Sequence, residues 1–101
     1  VFGFTNDSLT NNKEAIEAFY RAYNKAVDYV NEHDIDTYYD VLKEKIGFTD
    51  EIKKDVTLPK YVHAEQIDGK QVDHAFNWSK EEGIFTKEYN QKDVMSDLLV
   101  K

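Results

Sequence analysis

The sequence predicts a mainly α fold of four to five helices with one short N-terminal strand. Apolar residues recur in steps of three and four over most of the chain, which is the spacing of one helix face. Only 4 glycines and 1 proline occur in 101 residues, and most of them stand where such a face ends. Hydrophobic residues make up 41% of the chain, which is typical of a folded domain rather than a disordered one.

The length of 101 residues indicates a single helical segment without a second domain. We divide it into strand and turn (1–11), helices (12–58), a connector (59–69) and further helices (70–101). The chain starts on an apolar, strand-like run, Val1 to Phe4, without an initiator Met, which leaves open a piece of a larger protein and a processed domain. A lone strand needs a partner, and the polar cluster Thr5 to Ser8 that follows it predicts a turn.

A long helix is predicted from Asn12 to Asn31, where apolar residues form one wide stripe. Asn11 stands at the N-cap position, and Glu14 completes a capping box. We expect the stripe to pack as a core face. Its members are Ala15, Ile16, Phe19, Tyr20, Ala22, Tyr23, Ala26, Val27 and Val30.

A second helix is predicted from Ile35 to Ile46, with Asp34 as its cap and Gly47 as its terminator. A third, short helix is predicted from Thr49 to Val56, because a hydroxyl and two acids suit a helix start. Pro59 ends any continuation of that helix and begins an extended connector.

Two more helices are predicted after the connector. The first runs from Lys70 to Glu82, with Gly83 as its terminator, and faces inward at Val72, Ala75, Phe76 and either Trp78 or Ser79. The last runs from Gln91 to Leu98, with Asn90 as its cap. Its apolar side consists of Val94, Met95, Leu98 and Leu99.

The charge balance argues against two classes of partner. Twenty acids and 13 bases give a net charge of -7, which repels nucleic acid and anionic lipid surfaces. The absence of cysteine excludes disulfides, thiolate nucleophiles and zinc–thiolate sites.

No catalytic or metal motif stands out, so we predict no catalytic residue, no metal site and no cofactor. The three histidines are scattered, and no HExxH motif or calcium loop occurs. The one metal-enzyme alternative uses His63, Glu65 and His74. The serines Ser8, Ser79 and Ser96 lack a nucleophile motif, and the acid pairs are those that 20 acids produce by chance.

Several segments, in order, carry a resemblance to a known family. The long helix matches best, through the spacing of Phe19, Ala22, Tyr23 and Ala26. The remaining matches are Phe4 to Ser8, Lys13 to Asn31, Gly47 to Glu51, Leu58 to Tyr61, Trp78, Gly83 to Phe85, and Asp93 with Val94. The proline that commonly opens the long helix in that family is replaced here by Asn12 or Lys13.

From Val1 to Leu99 the chain resembles the C-terminal segment of periplasmic or lipoprotein solute-binding proteins of ABC importers, in the nitrate, sulfonate, taurine and thiamine-precursor-like group. The resemblance implies a fragment of a two-lobed α/β periplasmic-binding-protein fold (type II). It implies extracytoplasmic capture of a small solute, with no enzymatic activity. The implied partners are the solute, an ABC permease, the remainder of the polypeptide and, for the isolated chain, a second copy.

The resemblance also implies a candidate site, because ligands of such folds lie at strand-to-helix turns between the lobes. In this chain the corresponding residues are Thr5, Asn6 and Asp7, whose hydroxyl, amide and carboxylate groups suit a polar solute. Ordinary turn and capping roles are the alternative for these three. The alternative function is a stand-alone helical protein-interaction module that binds a partner through its aromatic stripe.

Overall fold

A computed structural model describes residues 2–98 and confirms that the chain is mainly α. The chain divides into two compact units with the boundary between Ala64 and Glu65, and each unit is described separately below. The helices are α1 (Asn6–Asn11), α2 (Lys13–Glu32), α3 (Ile35–Ile46), a 3₁₀ helix (Lys53–Asp55), α4 (Gly69–Glu81) and α5 (Gln91–Val94).

The predicted N-terminal strand is wrong over residues 2–4, and Val1 lies outside the described residues. Residues 2–98 contain no strand, so no neighbour offers the backbone hydrogen bonds that a strand requires. The aromatic rings of this segment pack on α2 instead. The Phe2 ring centroid lies 5.0 Å from that of Phe19 and 5.5 Å from that of Tyr23, and Phe4 lies 6.0 Å from Tyr20, all edge to face.

The predicted turn at Thr5 to Ser8 is the start of α1. The Thr5 hydroxyl accepts a hydrogen bond from the Ser8 amide at 3.1 Å and so caps this helix. The predicted capping box of Asn11 and Glu14 is therefore wrong, because Asn11 is the last residue of α1. Asn12 takes the N-cap position of α2 without a capping bond from its side chain.

The apolar stripe of α2 is buried at two positions, Ile16 and Val27. Phe19 and Tyr29 on the same helix remain exposed. The third buried side chain of the first unit is Tyr39 of α3, which is only 2% exposed. The expected core face of α2 is thus formed over part of its length.

The predicted bounds of α3 and its terminator Gly47 are confirmed, although the Asp34 side chain at the N-cap makes no capping hydrogen bond. Gly47 adopts the left-handed conformation with φ 88°, which costs glycine little. Its amide donates to the carbonyls of Leu42 and Lys43, and the Phe48 amide also donates to the Leu42 carbonyl. These bonds satisfy carbonyls that the end of the helix would otherwise leave free.

The predicted helix from Thr49 to Val56 is wrong, because only the 3₁₀ helix Lys53–Asp55 forms there. Contacts with α3 occupy the groups that would begin a longer helix. The Thr49 carbonyl accepts from the Tyr39 hydroxyl at 2.6 Å, and the Asp50 carboxylate binds the Lys43 ammonium at 2.7 Å.

In the second unit, α4 begins at Gly69, with the Asp68 side chain accepting from the Lys70 amide at 2.9 Å. It ends before Gly83, the predicted terminator, which has φ 69°. Val72 is buried as predicted, whereas Trp78 is 52% exposed.

The last helix, α5, is shorter than the predicted Gln91 to Leu98. Its cap is the predicted Asn90, whose side chain accepts from the Lys92 amide. Beyond Val94 the Ser96 hydroxyl accepts from the Leu98 amide at 3.2 Å, and such local bonds compete with helix formation. Leu99, assigned to the apolar side of this helix, lies outside the described residues.

Candidate functional site

The three predicted site residues, Thr5, Asn6 and Asp7, are consecutive and exposed at the start of α1. The Thr5 hydroxyl already has two partners, since it accepts from the Ser8 amide and donates to the Ser8 hydroxyl at 3.0 Å. Thr5 therefore serves mainly to begin the helix.

Asn6 and Asp7 retain more capacity to bind a ligand. One oxygen of the Asp7 carboxylate accepts from the Asn11 side chain at 2.7 Å, which leaves the second oxygen available. Asn6 accepts from the Thr10 hydroxyl through its backbone carbonyl at 2.9 Å, and no bond within residues 2–98 uses its side-chain amide. Together they offer donors and acceptors to a small polar solute.

Two of the three histidines, His63 and His33, make pairwise contacts. Nε2 of His63 lies 2.5 Å from Oδ1 of Asp28, and the ring of His33 stacks on Tyr29 with centroids 4.1 Å apart. Among the residues described, no three His, Asp or Glu side chains are grouped so as to hold a metal ion.

The structure also reveals a polar row on α2 that sequence analysis missed. It consists of Asn24, Asp28 and Asn31, whose side chains bind the extended segment Tyr61 to Ala64. The spacing of four and three residues places them on one helix face. That spacing was the available signal, although it does not show which segment the row contacts.

A second cluster lies in the second unit, around Asp73 of α4. The Tyr89 hydroxyl donates to Oδ1 of Asp73 at 2.5 Å, and the Tyr89 ring stacks on Phe76 with centroids 3.9 Å apart. The hydrogen bond from Tyr89, with a smaller contribution from the Gln91 side chain, holds the pKa of Asp73 below its ordinary value. The bond to Asp73 and partial burial raise the pKa of Tyr89.

An open depression of about 440 Å³ adjoins this cluster within the second unit. Gln91 lines the depression, and its side-chain amide donates to the Gly69 carbonyl at the start of α4 at 3.0 Å. The depression is lined by Gln66, Gln91, Lys92, Met95, Ser96 and Asp97. Its lining is therefore mixed, with one basic and one acidic residue among neutral ones.

Many large apolar side chains are exposed on the surface. Four side chains in the described part of the chain are buried, whereas twelve large apolar ones are 37–70% exposed. The twelve are Phe2, Phe4, Phe19, Tyr29, Val41, Ile46, Ile52, Tyr61, Val62, Trp78, Ile84 and Val94. Single exposed apolar residues are normal, but this number relative to the core indicates surface suited to contact with other protein.

No family model, curated protein or solved structure matches the chain. No helix within residues 2–98 has the length and apolar character needed to cross a membrane.

Proposed function

We propose that the chain is the C-terminal part of a solute-binding protein of an ABC importer. Such a protein captures a small solute outside the cytoplasm and delivers it to a permease. The proposal starts from the ordered resemblance of the segments between Val1 and Leu99. In the full-length protein, the aromatic and aliphatic side chains that this chain exposes would pack against the remainder of the same polypeptide.

The ratio of exposed to buried apolar side chains is the observation that carries the proposal. Among the described residues of the first unit, three apolar side chains are buried and nine large ones are exposed. Burying a large apolar side chain is worth about 1.5–3 kcal/mol, so leaving nine of them in water forfeits much of the available stability. A two-lobed protein in which these helices return to pack on a lobe would recover it.

The binding role is assigned to Thr5, Asn6 and Asp7. In the proposed protein they contribute hydrogen bonds to a polar solute, while other segments supply most of the remaining contacts. The solute belongs to the small polar group that the resemblance indicates, such as nitrate, a sulfonate or a thiamine precursor.

The apolar surface provides the first test, on the isolated 101-residue chain. Analytical ultracentrifugation and binding of an apolar fluorescent dye should show self-association or a dye-accessible surface, because uncovered apolar patches attract one another. A compact monomer that binds no dye would contradict the proposal.

The coding sequence upstream of the Val1 codon gives the second test. The proposal expects an α/β lobe there, preceded by a signal peptide with a lipobox cysteine. A reading frame that begins at or just before Val1 would instead favour a stand-alone helical module that binds a partner protein through the same exposed side chains.

The site is tested in the full-length protein. Thermal-shift screening with nitrate, alkylsulfonates, taurine and thiamine precursors identifies the solute. The affinity for it should then fall about tenfold in Asn6→Ala and Asp7→Ala, as expected for losing one hydrogen bond to a bound ligand. Asn12→Ala is the matched control. Equal affinities in all variants would remove these residues from the site.

A further inference from the structure

The extended segment Tyr61 to Ala64 is held to α2 by side chains rather than by its own backbone pairing. Asn31 binds both backbone groups of Tyr61, since its oxygen accepts from the amide at 3.0 Å and its nitrogen donates to the carbonyl at 2.8 Å. Asp28 binds the His63 ring, and the Asn24 oxygen accepts from the Ala64 amide at 2.8 Å.

The dimensions of a helix and of an extended chain explain how three side chains on α2 can reach the whole segment. From Asn24 to Asn31 a helix rises about 10.5 Å, at 1.5 Å per residue. From Tyr61 to Ala64 an extended chain covers about 10 Å, at 3.3 Å per residue. The two runs are antiparallel, because Asn31 binds the first residue of the segment and Asn24 binds the last. The polar row therefore matches the segment in length as well as in chemistry.

Apolar packing contributes little to this attachment. Val62 is 70% exposed and Tyr61 is 39% exposed. Asn31, Asp28 and His63 are exposed as well. Bonds at such positions exchange readily with water, so the attachment is of a kind that opens without unfolding α2.

We propose that the polar row of Asn24, Asp28 and Asn31 is a latch that holds residues 61–64 on α2. The latch ends at Ala64, the last residue of the first unit. When the latch is closed, the chain is fixed to α2 as far as Ala64. When it is open, residues 61–64 leave α2 while the helix stays folded. The proposal does not depend on the solute-binding function.

Amide hydrogen exchange of the intact chain, measured by NMR, tests the latch. The amides of Tyr61 and Ala64 are the bonded ones, whereas no bond within residues 2–98 uses those of Val62 and His63. After correction for intrinsic rates, the first pair should exchange about tenfold more slowly than the second. Equal protection across the four amides would overturn the proposal.

Variants distinguish the bonds of the latch. We expect Asn31→Ala to accelerate exchange of the Tyr61 amide about tenfold. Asn24→Ala should accelerate exchange of the Ala64 amide by a similar factor. Asn31→Asp keeps the acceptor for the Tyr61 amide, so protection at Tyr61 should largely persist. The control is Lys25→Ala at an exposed position on α2.

The α2 amides provide the internal reference for these variants. They should keep their protection in Asn31→Ala and Asn24→Ala while residues 61–64 respond. An unchanged Tyr61 amide in Asn31→Ala, or an equal loss of protection at Tyr61 and along α2 in that variant, would overturn the latch.

Discussion

At the scale of single residues, the pair of Asp73 and Tyr89 is the clearest electrostatic feature of the second unit. The folded state holds the pKa of Asp73 below its ordinary 3.8, so the contribution of Asp73 to stability is present above that pH. It is lost as the pH falls through the lowered pKa. The pKa of Tyr89 is raised above its ordinary 10.0, so its contribution is lost as the pH rises through the raised value.

Replacing Tyr89 by phenylalanine tests this pair. The ring and its stacking on Phe76 remain, but the donor to Asp73 is lost. We expect the pKa of Asp73 to rise toward 3.8, with the nearby Gln91 side chain retaining part of the shift. A carbon-13 NMR titration of the Asp73 carboxyl group measures this pKa. Tyr23→Phe is the control, and an unchanged Asp73 pKa in Tyr89→Phe would show that the hydroxyl is not its main partner.

At the scale of elements, the helices begin and end where local chemistry requires. Thr5, Asp68 and Asn90 accept bonds from amides in the first turns of α1, α4 and α5, and Gly47 and Gly83 lie in the left-handed region after α3 and α4. A short helix such as α1 depends on these end contacts, because its few internal bonds barely offset nucleation.

Replacing Gly47 by alanine tests whether the end of α3 requires a residue that tolerates the left-handed backbone conformation. No atom lies within 4 Å of a Cβ placed there, so steric contact is excluded and the left-handed backbone alone opposes the change. We expect Gly47→Ala to lower the free energy of unfolding by about 1–2 kcal/mol, measured by urea denaturation. Gly3 is an equally open position whose φ lies outside the left-handed region, so Gly3→Ala should leave stability within a few tenths of a kcal/mol. Equal effects of the two changes would contradict this explanation of the α3 terminus.

At the scale of the whole molecule, the two units differ in how much they bury. Ile16, Val27 and Tyr39 are buried in the first unit, and Val72 in the second. Small apolar cores give small stabilities. We therefore expect the second unit to unfold at a lower denaturant concentration than the first.

Trp78, the sole tryptophan, reports on the second unit. Its fluorescence should show a midpoint in urea below that of the Val27 methyl resonances, because transitions coincide only when a protein unfolds as one unit. Tyr39→Ala should lower the Val27 midpoint, since it removes a side chain that is 2% exposed, at a cost of about 3–5 kcal/mol. The Trp78 midpoint should stay constant. Coincident transitions in both proteins would show that the units unfold together.

The limits of α3 and the glycine end of α4 follow from residues inside or beside each helix, and for that reason they were predictable. An apolar stripe, a capping residue and a glycine with positive φ act within one or two turns. The segments at Phe2 to Phe4 and Thr49 to Val56 were not predictable in the same way. Rings on α2 and the side chains of Tyr39 and Lys43 decide their conformations.

The contacts of the polar row were even less predictable from the sequence, because they form only in the tertiary structure. Its bonds join residues 30 to 40 positions apart, and helical spacing shows that three polar groups share a face without showing what crosses it. The roles of Thr5, Asn6 and Asp7 in binding a solute stay a prediction. Sequence alone determined the helical class, the limits of α3 and the glycine end of α4, because those depend on neighbouring residues. Tertiary structure decided which apolar side chains are buried and which segments meet, because both depend on the path of the chain between distant positions.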